Sequence, residues 1–172
     1  MQMELAGIRE AEKEYTFTTP TDFGLSYKRV NRKHPEVHKK IADCIEFVRQ
    51  SLVRGNNEEY IKPEFLFNKF LQGSSDMWVS VEDQNYDGSA FSTSTHIVGC
   101  LLIGVAAYPE QTGIISESTG GKFHFETMMP AVEDYYRKQG AKFVEIPGRK
   151  GWQRRFDTMG YKVKNVTIVK EL

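Results

Sequence analysis

The run Ile97-Val98-Gly99-Cys100-Leu101-Leu102-Ile103-Gly104-Val105-Ala106-Ala107 constrains this chain more than any other stretch. Its apolar residues are consecutive, so both faces of an extended segment are apolar. A strand of that kind needs cover on both sides, which puts it at the centre of a sheet flanked by helices. It is too short to cross a bilayer as a helix, which takes roughly twenty apolar residues, and glycines interrupt it.

The cover is legible in the remaining sequence. Val37, Ile41, Cys44, Ile45, Val48 and Leu52 recur at helical spacing, with Pro35 suited to the first turn and Gly55 to the end. Pro63 opens a second helix whose Leu66, Phe67, Phe70 and Leu71 form an apolar face, stopped by Gly73. A third helix is expected over 124–139, carrying Phe125, Met128, Met129, Val132, Tyr135 and Tyr136 toward the core and ending at Gly140. Pro130 either sits inside this helix, removing one backbone bond, or delays its start. Strands are expected over 77–81, 97–107, 114–117, 142–146 and 161–169, with shorter ones near 15–19 and 25–27, a polar connection over 84–95 and a short helix over 151–159. The order predicts an α/β (α+β) fold: a mixed, mostly antiparallel central sheet flanked by helices. The chain reads as one domain, 1–172, in which 1–34 is the most irregular and loosely packed part.

Charge excludes one class of partner. Lys and Arg number 23, as do Asp and Glu, so no net positive field draws in a phosphate backbone and nucleic acid is not implied. The beginning Met1-Gln2-Met3-Glu4-Leu5 lacks the basic start and apolar run of a secretory leader, so a protein inside the cell and off the membrane is expected. The two cysteines, Cys44 and Cys100, fall on a helix face and in the apolar strand, where packed free thiols are favoured over a disulfide, a metal site or a nucleophile. The four histidines are scattered and no paired-cysteine pattern is present, so no metal is expected.

The order of elements resembles the GNAT fold of acyl-CoA-dependent N-acyltransferases, over the last 95 or so residues in particular. More narrowly, Gly140-Ala141-Lys142-Phe143-Val144-Glu145-Ile146-Pro147-Gly148-Arg149-Lys150-Gly151-Trp152, with Gly160-Tyr161 and the terminal Lys170-Glu171-Leu172, looks like GNAT-like proteins of tailed bacteriophages. The resemblance implies acetyl-CoA as cofactor, held where a Gln/Arg-x-x-Gly-x-Gly/Ala loop meets a helix start, whose unpaired amides suit a pyrophosphate. Laid on this pattern, Glu117 takes the Gln/Arg position, Gly120 the first glycine and Lys122 the Gly/Ala position. The implied cofactor-binding residues are then Thr119, Gly120, Gly121 and Lys122, and Glu117 is the implied base that takes the proton of an acceptor amine.

A second family pattern, Asn-x-x-Ala-x-x-x-Tyr-x-x-x-Gly-Phe, anchors on Gly160-Tyr161 and puts Arg149, Trp152 and Phe156 on its Asn, Ala and Tyr. The family's Tyr is a general acid, and Phe156 has no proton to donate. Trp152 adds a ring where a small residue flanks the pantetheine arm, so its position relative to the gap between the strands ending near Glu117 and Ile146 decides whether that gap is open. Glu145, His96 and His124 are weaker acid/base candidates, and Arg149, Lys150, Arg154 and Arg155 form a local basic cluster suited to a phosphate or an acidic surface. Two functions follow from the resemblance. One is an N-acetyltransferase-like protein acting on an amine. The other is a non-catalytic phage accessory or virion-associated protein that binds phage or host proteins, located in the host cytoplasm or in the particle.

Overall fold

The computed structural model describes residues 16–18, 24–55, 57–83, 95–148 and 150–164. Their elements run β1 (Thr16–Thr18), β2 (Leu25–Arg29), α1 (Val37–Arg54), α2 (Pro63–Leu71), β3 (Ser75–Asp83), β4 (Thr95–Ala107), β5 (Thr112–Gly121), α3 (Phe125–Lys138), β6 (Val144–Glu145) and α4 (Lys150–Asp157). The strands form one sheet in chain order, β1 to β6. Every pairing is antiparallel except the last, where β5 and β6 run parallel through only two rungs, Ile114 with Val144 and Ile115 with Glu145.

The apolar run is strand β4, central between β3 and β5, and it is covered on both faces as its composition requires. Alternate residues serve different layers. Cys100 and Leu102 join Met77, Val79 and Val81 beneath α1 and α2, whereas Leu101 and Ile103 join Trp78 beneath the Met128, Met129 and Val132 face of α3. Cys44 of α1 and Cys100 meet in the first layer as buried free thiols, and the bond to Cys44 together with burial pushes the Cys100 thiol well up. Leu25, Tyr27 and Arg29 of β2 are buried and paired with β3, so this part of the 1–34 segment is integral to the sheet.

Three expectations are corrected. The strand expected over 114–117 continues to Gly121, because β4 supplies Gly99 and Cys100 as partners for Gly121 and Gly120. The Gly-Gly pair is therefore not a turn: a Cβ at Gly120 would lie 2.0 Å from the carbonyl oxygen of Phe47, so the glycine lets the α1 backbone rest on the strand. The strand expected over 142–146 narrows to two residues, and 161–164 are not in a strand, while the rest of the expected last strand lies outside the described residues, as do 84–94 of the polar connection. Pro130 sits inside α3, where its missing N–H leaves the Glu126 carbonyl without its helical donor.

A buried polar network ties β2, β3 and α3 together. Asp76 accepts hydrogen bonds from Arg29 Nη2 at 2.7 Å and from the Tyr136 hydroxyl at 2.7 Å, and Tyr136 in turn accepts one from Trp78 Nε1 at 3.0 Å. Burial, and then the Asp76 charge, hold the Tyr136 phenol well above its ordinary range, so it stays a donor. Burial alone would lower the Arg29 guanidinium, but Asp76 outweighs it and the group is held above its usual value.

Removing the carboxylate leaves a guanidinium that is 4% exposed without its counter-charge. Asp76→Ala should therefore cost about 3–5 kcal/mol, and Tyr136→Phe about 1–3 kcal/mol, read as urea midpoints at unchanged slope. Gly120→Ala should cost about 1–3 kcal/mol by forcing α1 off the sheet; an unchanged midpoint would refute the close approach.

Candidate functional site

The sheet opens where the parallel pair ends. Beyond Ile115 and Glu145, β5 runs on toward the start of α3 and the chain after β6 runs toward α4, so a wedge separates Ser116–Gly121 from the 146–148 segment. At the apex of this wedge β5 carries a bulge: Leu102 pairs with Ser118 and Ile103 with Ser116, leaving Glu117 as the extra residue.

The bulge turns Glu117 toward the α1/α2 layer. Its carboxylate contacts the Lys69 ammonium from the last turn of α2 and accepts 2.6 Å from the hydroxyl of the fully buried Ser75. The side chain is only 11% exposed. Gly104 makes room for it, since a Cβ there would lie 2.4 Å from Glu117 Oε1. Ser118 Oγ, buried on the same strand, has no hydrogen-bond partner among the described residues.

Thr119, Gly120 and Gly121 lie in β5 and Lys122 directly follows it, three residues before the helix start. The Thr119 amide donates to Ser51 Oγ of α1 at 3.2 Å, and the Lys122 amide to the Val98 carbonyl at 2.8 Å. The Lys122 ammonium pairs with Glu82 at 2.5 Å. Helix α3 starts at Phe125, so the unpaired donors of its first turn belong to residues after Lys122. The sequence pattern placed the glycines and the helix start together; the structure separates them by the Lys122-Phe123-His124 link.

An anion already sits in that first turn. Glu126 receives Arg155 of α4 through two bonds, Nε at 2.6 Å and Nη2 at 2.8 Å. These bonds, with its own backbone amide, pull the Glu126 carboxyl down from 4.5 to about 2, against the opposing effect of burial. The same arrangement raises the Arg155 guanidinium. An acidic residue in the first turn suits the helix dipole, and the arginine grips it through both oxygens.

Trp152 lies against Phe125 (ring centroids 5.7 Å apart) and Phe156 (5.7 Å), and a Cβ on Gly148 would come within 3.1 Å of its ring. The ring therefore bridges the start of α3 and the segment after β6. Phe156 is buried against Phe125 and Tyr161, at 5.6 and 5.1 Å. Tyr161 donates to Glu133 at 2.5 Å, and burial followed by that carboxylate raises its phenol far above the ordinary range. Glu145, at the last parallel rung, accepts from Tyr108 at 2.5 Å.

Sequence reasoning brought Glu117 to the right strand but missed its partners, since Lys69 and Ser75 lie 48 and 42 positions away. It also missed Glu126, whose only signal was an acidic residue in a first helical turn. A cavity of about 410 Å³ lined by Glu133, Arg137, Lys142, Phe143, Gly160 and Tyr161 shares no residue with the wedge apex. Among the described residues no three metal-ligating side chains gather, and no helix is long and apolar enough to cross a membrane.

No protein-family model and no curated protein matches the sequence. Solved structures share its shape. A predicted acetyltransferase from Clostridium acetobutylicum, solved with acetyl-CoA, superposes with a TM-score of 0.58 at 10% identity, over 86% of this chain and 96% of that one. An aminoglycoside acetyltransferase from an uncultured soil metagenomic sample, in complex with sisomicin, gives 0.56 at 15% identity, over 87% and 97%. A GNAT family acetyltransferase from Staphylococcus aureus gives 0.53 at 9% identity, over 87% and 99%. At these identities the likeness establishes architecture: the chain has the mixed α/β fold of GNAT acetyltransferases.

Proposed function

We propose that the chain is an N-acetyltransferase-like protein that takes an acyl-CoA thioester in the β5/β6 wedge and an amine from the α1/α2 side. The observation that carries this reading is the coincidence of the wedge apex with the Glu117 bulge, which sets a carboxylate beside the only break in the described sheet's pairing on that edge. Acetyl-CoA, when bound, supplies an acyl carbon activated by its thioester. Arg155 is a cation beside the start of α3 that could meet its phosphates, and the first-turn amides of α3 add partial positive charge. The bidentate hold of Arg155 on the Glu126 carboxylate supports that fit.

The chain's own residues divide the remaining work. Glu117 takes a proton from the acceptor amine, and Lys69 and Ser75 hold its carboxylate in place until an acceptor arrives. Phe156 donates no proton, so the departing sulfur takes its proton from the acceptor nitrogen or from water. Gly120 and Gly121 contribute by letting α1 lie over β5, and Thr119 anchors α1 through Ser51.

A second reading is favoured by Phe156, which has no proton to give, and by the Trp152 ring packed at the start of α3. In it the fold binds other proteins without catalysis. Calorimetric titration with acetyl-CoA separates the two. Saturable binding is expected, tightened about fivefold in Glu126→Gln, where Arg155 is released to the ligand. No heat at millimolar acetyl-CoA, for either protein, would remove the first reading.

The same pair predicts a pH dependence. Its folded pKa is lowered, so the Glu126–Arg155 contribution is fully present above 4.5 and is lost as pH falls from 4.5 toward 2. Fluorescence of Trp152 should change across that window as α4 loosens, and the change should vanish in Glu126→Gln. An identical profile in the variant would show that another group governs the transition.

A further inference from the structure

The Lys69–Glu117 pair has a property that packing does not require. Lys69 is in the last turn of α2, where a cation suits the helix dipole without any partner, and an ammonium on a four-carbon stem reaches solvent readily from there. Instead its side chain is turned onto a carboxylate that is 11% exposed, and is itself only 30% exposed. The contact stands at the bulge, two residues from the last rung of the wedge, and Ser75 fixes the second carboxylate oxygen. Gly104 leaves the space the carboxylate fills. A primary amine in contact with a carboxylate at the point where an acyl group would lie is the geometry that transfer to nitrogen needs.

We infer that Lys69 is itself an acyl acceptor: the chain acylates its own Lys69 from an acyl thioester. The inference rests on the proposed reading of Glu117 as the base at the wedge apex. The Lys69 ammonium gives one proton to Glu117, which passes it to solvent. The free amine forms a bond to the thioester carbonyl carbon, the carbon–sulfur bond breaks with its electron pair on sulfur, and the second nitrogen proton ends on the thiolate. The products are a neutral amide and a thiol. Acylation removes the positive charge facing Glu117, leaving the carboxylate with Ser75 alone. The modified chain would then present an unpaired base to a free amine, and the α2 end would lose its tie to β5.

Unassisted acylation of lysines supplies the contrast, because it favours exposed, unhindered amines. Lys138 and Lys164 are 72% and 62% exposed, more than twice Lys69, and they too lie beside carboxylates, Asp134 and Glu145, so the contrast with Lys69 is its place at the bulge. The full chain is incubated with acetyl-CoA and, separately, with a short acetyl thioester lacking the nucleotide, and site occupancies are read by peptide mass spectrometry. Lys69 should acquire acetyl at least about tenfold faster than Lys138 or Lys164, a difference of about 1.4 kcal/mol in barrier. Glu117→Gln should bring Lys69 down to the rate of the exposed lysines. Gly104→Ala, which displaces the Glu117 carboxylate without removing it, should do the same.

Labelling of Lys69 no faster than of the exposed lysines would overturn the inference, as would an undiminished rate in both variants. Acetyl-CoA binding without Lys69 labelling by either thioester would sink self-acylation and leave the proposed cofactor reading standing. Rapid Lys69 labelling by the short thioester, with no binding of acetyl-CoA, would support self-acylation and remove the cofactor reading.

Discussion

Asp76 is the residue on which the two layers depend. It lies on a strand whose neighbours Met77 and Trp78 face opposite sides of the sheet, and it is 3% exposed. A carboxylate so placed is tolerable only with full compensation, and it receives one guanidinium from β2, a second from Arg32 at 3.5 Å, and a phenol from α3. The apolar core alone would accept small slides of α3 over the sheet, because dispersion contacts are short-ranged but not directional. The Trp78–Tyr136–Asp76 chain is directional. It fixes the register of α3, and with it the position of the helix start at Phe125 relative to β5.

The wedge follows from that registration. With α3 held against β2 and β3 at one end, its first turn must be reached from the end of β5 through the short Lys122-Phe123-His124 link, and the link is itself pinned. The Ser80 hydroxyl donates to the Lys122 carbonyl at 2.6 Å, and the His124 amide donates to the Tyr27 hydroxyl at 3.1 Å. The strand's direction is thereby set by the β4 side, whereas β6 follows Phe143, whose carbonyl accepts the Ile114 amide. Two rungs satisfy both constraints and a third does not. The bulge at Glu117 lies at that divergence, and the extra residue is free to turn its side chain out of the alternation.

Sequence legibility tracks the range of the interaction. The apolar run announced β4 and its two-sided cover, and Pro63 with Leu66, Phe67 and Phe70 announced α2, because these signals lie within one element. Gly120-Gly121 reads in sequence as a loop at a helix start, but a glycine pair serves equally as a bed for a passing backbone, and the presence of Phe47 above it distinguishes them. Lys69 with Glu117 and Glu126 with Arg155 are contacts between distant elements, and nothing in the local pattern of either partner marks it. Trp152 and Phe156 were legible as departures from a family pattern, but which rings they would meet was not.

The polar part of the contact between α4 and the start of α3 is weak. Glu126 and Arg155 are each about half exposed, so their ion pair contributes at most about 1 kcal/mol despite its bidentate geometry. The Trp152–Phe125 ring contact adds roughly 0.5–1.5 kcal/mol beyond its buried area. They act beside the burial of Phe156 against Phe125 and Tyr161, which carries the larger part of the contact between α4 and α3. On the proposed cofactor reading, an anionic ligand that captures Arg155 replaces the Glu126 pair and leaves the ring packing in place. On the same reading, the residues that tie α4 to the start of α3 are the same ones a bound anion would meet, so packing and ligand contact share Arg155 and the helix start.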